Sequence, residues 1–141
     1  MKQSNKGTSK IVGVLGGMGP YATLAFFQSL LTLTPAEKDW DHLRIIIDDN
    51  PHIPSRTRHV LYGETSPVEG MLESCLKLQH YPVDLIVLPC NSAAVFIPEI
   101  QPHLKIPILN ICEMTANALV EKYPAAHRVA VLGGHVTYRR Q

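Results

Sequence analysis

The sequence predicts an α/β domain: an open, doubly wound, mostly parallel sheet with helices on both faces. Three observations lead there. Short runs of aliphatic and β-branched residues read as strands covered on both faces of a parallel sheet, at Ile11–Leu15, Leu43–Ile47, Asp84–Leu88 and Ile106–Leu109. Between them the chain carries apolar residues at helical spacing, so strand and helix alternate. Small and polar residues gather where strands end, at Gly16-Gly17-Met18-Gly19-Pro20 and at Pro89-Cys90-Asn91-Ser92. Crossovers of this kind are right-handed and place helices on both sides of the sheet.

Each element has its own warrant. Ile11–Leu15 is the first strand, and Pro20 suits the first turn of the helix that follows, where its missing N–H costs nothing. Leu24, Phe27 and Leu31 recur at helical spacing, which predicts a helix over 20–33. Leu43–Ile47 is the second strand and ends in Asp48-Asp49-Asn50-Pro51. A polar loop is expected from Pro51 to Thr65, carrying Arg56 and Arg58. Ser66-Pro67-Val68-Glu69 combines a cap, a first-turn proline and a capping-box glutamate, starting a helix that runs to about Gln79. Asp84–Leu88 is the third strand; after Cys90 a helix is expected, interrupted or kinked at Pro98. Ile106–Leu109 makes a fourth strand, Glu113–Tyr123 a further helix closed by Pro124, and Val129–Leu132 a fifth strand.

Composition narrows the function. The 141 residues are 45% apolar and 18% charged, which suits one folded domain with a real core. A net charge of +1 without a Lys/Arg cluster predicts no nucleic-acid partner, and no apolar run approaches a membrane span. Residues 1–10 are polar, lack a signal-peptide core and read as a flexible tail, so a cytoplasmic protein is expected. The three cysteines show no paired spacing, so neither a metal site nor a disulfide framework is implied.

Cys90 is the first candidate for chemistry. It falls at the carboxyl end of a strand and before a helix, the edge at which open α/β sheets bind ligands and where a helix amino terminus favours an anion. Asn91 and Ser92 supply neighbouring donors. A lone cysteine is otherwise a small buried hydrophobe; Cys75, on the apolar face of the Ser66–Gln79 helix, and Cys112, beside the fourth strand, are read that way. The Gly16–Pro20 turn admits three readings. Gly17-Met18-Gly19-Pro20-Tyr21-Ala22 fits a dinucleotide fingerprint, with Asp48 and Asp49 available to a ribose. The turn also suits backbone N–H groups offered to a small carboxylate. The plainest reading is a tight turn that packs a helix close to the sheet. Arg56 is either a bidentate clamp for a carboxylate or a solvated surface arginine. Finally, Val129-Ala130-Val131-Leu132-Gly133-Gly134 echoes Val12-Gly13-Val14-Leu15-Gly16-Gly17. Either the echo is chance or a second, similar lobe begins there, with no room left for the helix that should follow.

Taken together, Gly16–Pro20, Asn50-Pro51 with Ile53-Pro54-Ser55-Arg56-Thr57, Pro89-Cys90-Asn91-Ser92-Ala93 and Ile106–Ile111 resemble the aspartate/glutamate racemase superfamily, in its aspartate racemase branch. The resemblance spans about residues 11–138 and implies two similar α/β lobes, a cleft between them, no cofactor, and one catalytic cysteine from each lobe. It implies that Cys90 is the acid/base of the first lobe. Asn91 and Ser92 would bind the carboxylate or amino group of the substrate, Met18, Gly19 and Pro20 would line the pocket, and Asn50 would touch substrate. Arg56 would select an acidic side chain, and Thr137 would offer a hydroxyl from the second lobe. Ser92 stands where the family usually has threonine, and Ala94 where a histidine is common. Read this way, residues 11–127 form the first lobe and 128–141 begin a second, truncated one. The expected partners are a small amino-acid substrate and a second copy of the chain as a homodimer. A non-catalytic lobe that binds acidic amino acids, or a dinucleotide-binding domain, is the alternative.

Overall fold

The computed structural model describes residues 10–139. Of the expected N-terminal tail, only Lys10 falls within that range. Four strands, β1 (Ile11–Gly16), β2 (Arg44–Asp49), β3 (Leu85–Val87) and β4 (Ile108–Leu109), form one all-parallel sheet in the order β2-β1-β3-β4. The helices are α1 (Pro20–Leu33), α2 (Arg56–Tyr62), α3 (Val68–Gln79), α4 (Asn91–Ala94), α5 (Ile97–Ile100), α6 (Ile111–Lys122) and α7 (His135–Arg139). The doubly wound α/β architecture is the one the sequence predicts.

Alternation along the strands divides the core between the two faces. Leu15, Ile46, Ile86 and Ile108 point to the side covered by α3 and α5, where they join Met71, Cys75, Leu78, Phe96 and Ile100 in the main apolar cluster. Val12, Val14 and Val87 point the other way and meet Phe26 of α1 and Ile111 of α6. The first face is much the thicker. On α3 the buried residues Met71, Ser74, Cys75 and Leu78 follow the i, i+3, i+4, i+7 pattern of a helix with one apolar stripe. On α1 only Thr23 is buried, and Leu24 is exposed. The helix is where its apolar spacing predicts, but that stripe does not face the core.

Several expectations need correction. The stretch Pro51–Thr65 is not all loop: it contains α2. Ser55 Oγ accepts from the N–H of Arg58, and Gly63 closes the helix at φ +68°. Two local caps thus bound a short helix whose first turn is polar and whose Val60 packs against the main cluster. The helix after Cys90 is a single turn. Pro98 would clash with the carbonyl four residues back, that of Ala94, where α4 ends; it then occupies the first turn of α5. Helix α6 begins at Ile111 rather than Glu113, because Asn110 Oδ1 caps the N–H groups of Cys112 and Glu113. Cys112 is therefore exposed, not packed. Val129–Leu132 forms no strand; β4, only two residues long, offers too short a template for a fifth. The glycines beyond it lead directly into α7, for which no room was expected.

Candidate active site at the carboxyl edge of the sheet

The chain leaves β1 for β2 on one side and reaches β3 on the other, so the crevice between β1 and β3 is the topological switch point of the sheet. Two of the expected motifs, the Gly16–Pro20 turn after β1 and the Cys90 turn after β3, open onto it. Gly17 has φ +83°, and a Cβ there would lie 2.2 Å from the carbonyl carbon of Asn50. Only glycine fits, because the backbone after β2 presses against the turn. That close contact accounts for Gly17 as the glycine of a tight turn, the plainest of the three readings. Thr23 Oγ1 accepts from Gly17 N at 3.0 Å and donates to Gly19 O at 3.2 Å, tying the turn to α1. Met18 is buried in the main cluster, whereas Gly19 and Pro20 are exposed, with open space beside Gly19.

Asn50 ends β2 with both ends of its amide engaged. Nδ2 donates to Ser74 Oγ at 3.0 Å, and Oδ1 accepts from His52 N at 3.1 Å. Ser74 is fully buried, so this bond anchors the β2 loop to α3. Arg56, at the start of α2, is half-buried. Its Nη1 donates to the carbonyls of Ile53 and Pro54 at 3.1 and 2.8 Å, while Nε is buried with no hydrogen-bond partner. Arg56 is thus neither a free clamp nor a solvated surface residue: it closes its own loop and keeps donor capacity in reserve. Arg58 is engaged in an exposed ion pair with Glu64.

Cys90 is half-buried at the N-cap of α4, with Sγ 3.4 Å from Ser92 Oγ. Asn91 is exposed. Cys75, on α3, is fully buried in the main cluster, and burial, helped by the Asp48 carboxylate, pushes its thiol up to about 12. It is protonated and inert at neutral pH. Helix α7 packs against α2 and α4, and its Val136 is buried, so Thr137 belongs to an element docked on the helices that carry Arg56 and Asn91-Ser92. Phe96 meets His59 of α2 with ring centroids 5.8 Å apart, holding α2 beside the Cys90 turn. The fold thus gathers Cys90, Asn91, Ser92, Gly19, Pro20, Asn50 and Arg56 along the carboxyl ends of three adjacent strands. Thr23 and Ser74 were missed from sequence. Their only signal was a hydroxyl on the inward face of an otherwise apolar helix.

Two cavities, of about 400 and 360 Å³, lie elsewhere, one beside β2 and α3 and one on α1. Among the described residues no cluster of His, Cys, Asp or Glu is placed to hold a metal ion, and no helix is long and apolar enough to cross a membrane.

A parallel α/β lobe with a cysteine and a glycine turn flanking its switch point defines a class of small-molecule site. Comparison with known proteins makes it specific. Residues 15–140 match the Asp/Glu/hydantoin racemase family, and the chain belongs to that family. Over 131 residues it is 33% identical to the broad specificity amino-acid racemase RacX of Bacillus subtilis (strain 168), which covers 90% of this chain and 56% of RacX. Among solved structures, the Picrophilus torridus aspartate racemase superposes with a TM-score of 0.76 at 35% identity, over 80% of this chain and 48% of that one. An aspartate racemase homologue from Pyrococcus horikoshii OT3 shares the fold, with a TM-score of 0.66 at 16% identity, over 81% of this chain and 50% of that one. The chain spans about half the length of these relatives.

Proposed function

We propose that this chain is the first lobe of a cofactor-independent amino-acid racemase acting on aspartate or glutamate, with Cys90 exchanging the proton at Cα. The observation that carries this reading is the position of Cys90 at the end of β3, facing the same crevice as the Gly17–Pro20 turn, in a member of the racemase family. Inverting Cα requires taking its proton from one face and returning one to the other. A single base returns the proton to the side it came from. Two sulfur groups solve the problem: a thiolate accepts the Cα proton, the electron pair spreads into the carboxylate, and a thiol on the far face delivers its own proton. No electrons are gained or lost, and the reverse reaction exchanges the two roles.

Cys90 is one of these groups. Cys75 is enclosed by the core and Cys112 lies on the surface of α6, so the second group is assigned to an opposing lobe that 128–141 begins. Ser92 and Asn91 hold the carboxylate or amino group, and Gly19 and Pro20 form the wall beside the reacting carbon. Met18 supports that wall from within the core. The unused donors of Arg56 take the acidic side chain, and Thr137 adds a hydroxyl from α7. Asn50 acts by fixing the loop against Gly17, since its amide is already engaged. The assembly is proposed to be a cytoplasmic homodimer.

The test is proton exchange. With the protein expressed at the length its gene encodes, aspartate or glutamate in deuterated water should gain deuterium at Cα, read by NMR. Cys90→Ser should lower that exchange by at least about a hundredfold, with the circular dichroism spectrum unchanged. Exchange that survives in Cys90→Ser rejects Cys90 as the base. Saturable binding of aspartate without any exchange would leave a binding lobe instead.

A further inference from the structure

We propose that Ser92 is the positioning residue of Cys90: its hydroxyl donates to the sulfur, stabilises the thiolate and fixes the side chain that takes the Cα proton. Local geometry sets the pair. Cys90 is the N-cap of α4 in extended conformation, φ −150° and ψ 107°, and Ser92 lies two residues on, in the first turn. A serine or aspartate at an N-cap turns its oxygen onto the backbone N–H groups of the helix. The Cys90 sulfur makes no such bond; its partner is Ser92 Oγ, 3.4 Å away. Among the described residues neither Sγ nor Oγ has another hydrogen-bond partner. The turn that carries both is anchored, because Ala93 and Ala94 are buried in the main cluster and their N–H groups both donate to the Cys90 carbonyl.

A hydroxyl beside a sulfur is worth most when the sulfur is charged. A thiol is a weak donor and a weak acceptor, so the neutral pair gains little. An O–H donated to a thiolate is a charge-assisted bond, roughly twice as strong as a neutral one. The pair therefore favours the anion, the form that can accept the Cα proton. When it does, one proton moves from Cα to Sγ, the electron pair of the C–H bond stays on the substrate, and Ser92 keeps its own proton. With that proton turned to the sulfur, Ser92 Oγ offers a substrate only lone pairs. It suits the ammonium group, and the carboxylate falls to the exposed Asn91, whose amide can donate.

The helices packed on α4 carry ionisable groups of their own, among them Arg56 and His59 on α2, Glu113 on α6 and His135 on α7. None of these is hydrogen-bonded or ion-paired to the sulfur. They are unchanged when Ser92 is replaced, so a difference between Ser92→Ala and the wild type reads the hydroxyl alone. Ser92 makes no other side-chain bond, and alanine suits a helix better than serine, so Ser92→Ala keeps the fold.

The inference rests on the reading of Cys90 as the base, but its test needs no substrate, so the thiol pair and Cα exchange fail independently. The experiment is alkylation of Cys90 by iodoacetamide across the pH range, followed by peptide mass spectrometry on the full chain. A Cys112→Ser background removes the exposed thiol, and Cys75 is buried. Near pH 7, Ser92→Ala should react about threefold more slowly than the wild type, because less of its sulfur is thiolate. Near pH 10.5 the two rates should meet or cross, since a thiolate without its donor is the better nucleophile. Ser92→Thr keeps the hydroxyl and should restore the wild-type profile, with circular dichroism as the check on both variants. A ratio of Ser92→Ala to wild-type rates that is the same at every pH overturns the proposal, because it reports access to the sulfur and not its charge. So does a Ser92→Thr profile that follows Ser92→Ala.

Discussion

Single residues at this site are held by partners the reaction would never touch. Ser74 and Thr23 are both buried, and each hydroxyl fixes a loop that borders the crevice. Ser74→Ala should leave the Asn50 amide partly unpaired, lowering stability by about 1–2 kcal/mol in urea unfolding, with a larger loss in substrate affinity than in protein secondary structure. Cys75 offers a cleaner electrostatic test. Its thiol binds its proton more tightly in the folded chain than in the unfolded one, where the ordinary value is near 9. The stabilisation is therefore complete below pH 9 and declines as pH rises from 9 toward about 12. Between pH 8 and 10.5 the wild type should lose about 2 kcal/mol more than Cys75→Ala, at roughly 1.4 kcal/mol per pH unit above 9. Equal losses in the two proteins would show that Cys75 ionises freely.

Among elements, the glycine turn after β1 has the least freedom. Gly17→Ala must move the Asn50 backbone or abandon φ +83°. A cost of at least about 2 kcal/mol is expected in thermal or urea unfolding, together with loss of any substrate binding. Helix α2 is the opposite case: it is short and capped locally. Ser55→Ala removes the hydroxyl that accepts from Arg58 N. It should cost about 1 kcal/mol and loosen the placement of Arg56. If its stability equals that of the wild type, α2 is held by Phe96 and His59 rather than by its cap.

At the scale of the whole molecule, the two faces of the sheet are unequal. Helix α3 buries four residues on one side, while α6 buries none on the other. Local opening should follow that asymmetry. Hydrogen exchange is expected to be slowest in β1, β3 and α3, and fastest in α6 and the segment 124–134, where no helix or strand forms. Phe96→Ala, at a fully buried position shared by α2, α4 and α5, should cost about 3–5 kcal/mol and free α2. Protection of α6 equal to that of α3 would mean that α6 is covered in solution by something beyond the described residues.

The sequence by itself determined the parallel α/β class, the strands at the centre of the sheet, and Cys90 as the residue to watch. Those features rest on local chemistry: unbroken aliphatic runs have one stable environment, and small polar residues after them mark the edge where ligands bind. The tertiary structure decided the rest. The run Val129–Leu132 has the composition of a strand but lacks a neighbour to pair with, because a ladder requires a partner and β4 is too short to be one. The apolar stripe of α1 is real, yet Leu24 and Leu31 on it are exposed and Thr23 is the residue that the helix buries. Arg56 reads alike as clamp or surface residue until folding brings the carbonyls of Ile53 and Pro54 to it. Gly17 owes its necessity to Asn50, thirty-three positions away in the chain, through a contact that exists only once β1 and β2 lie side by side.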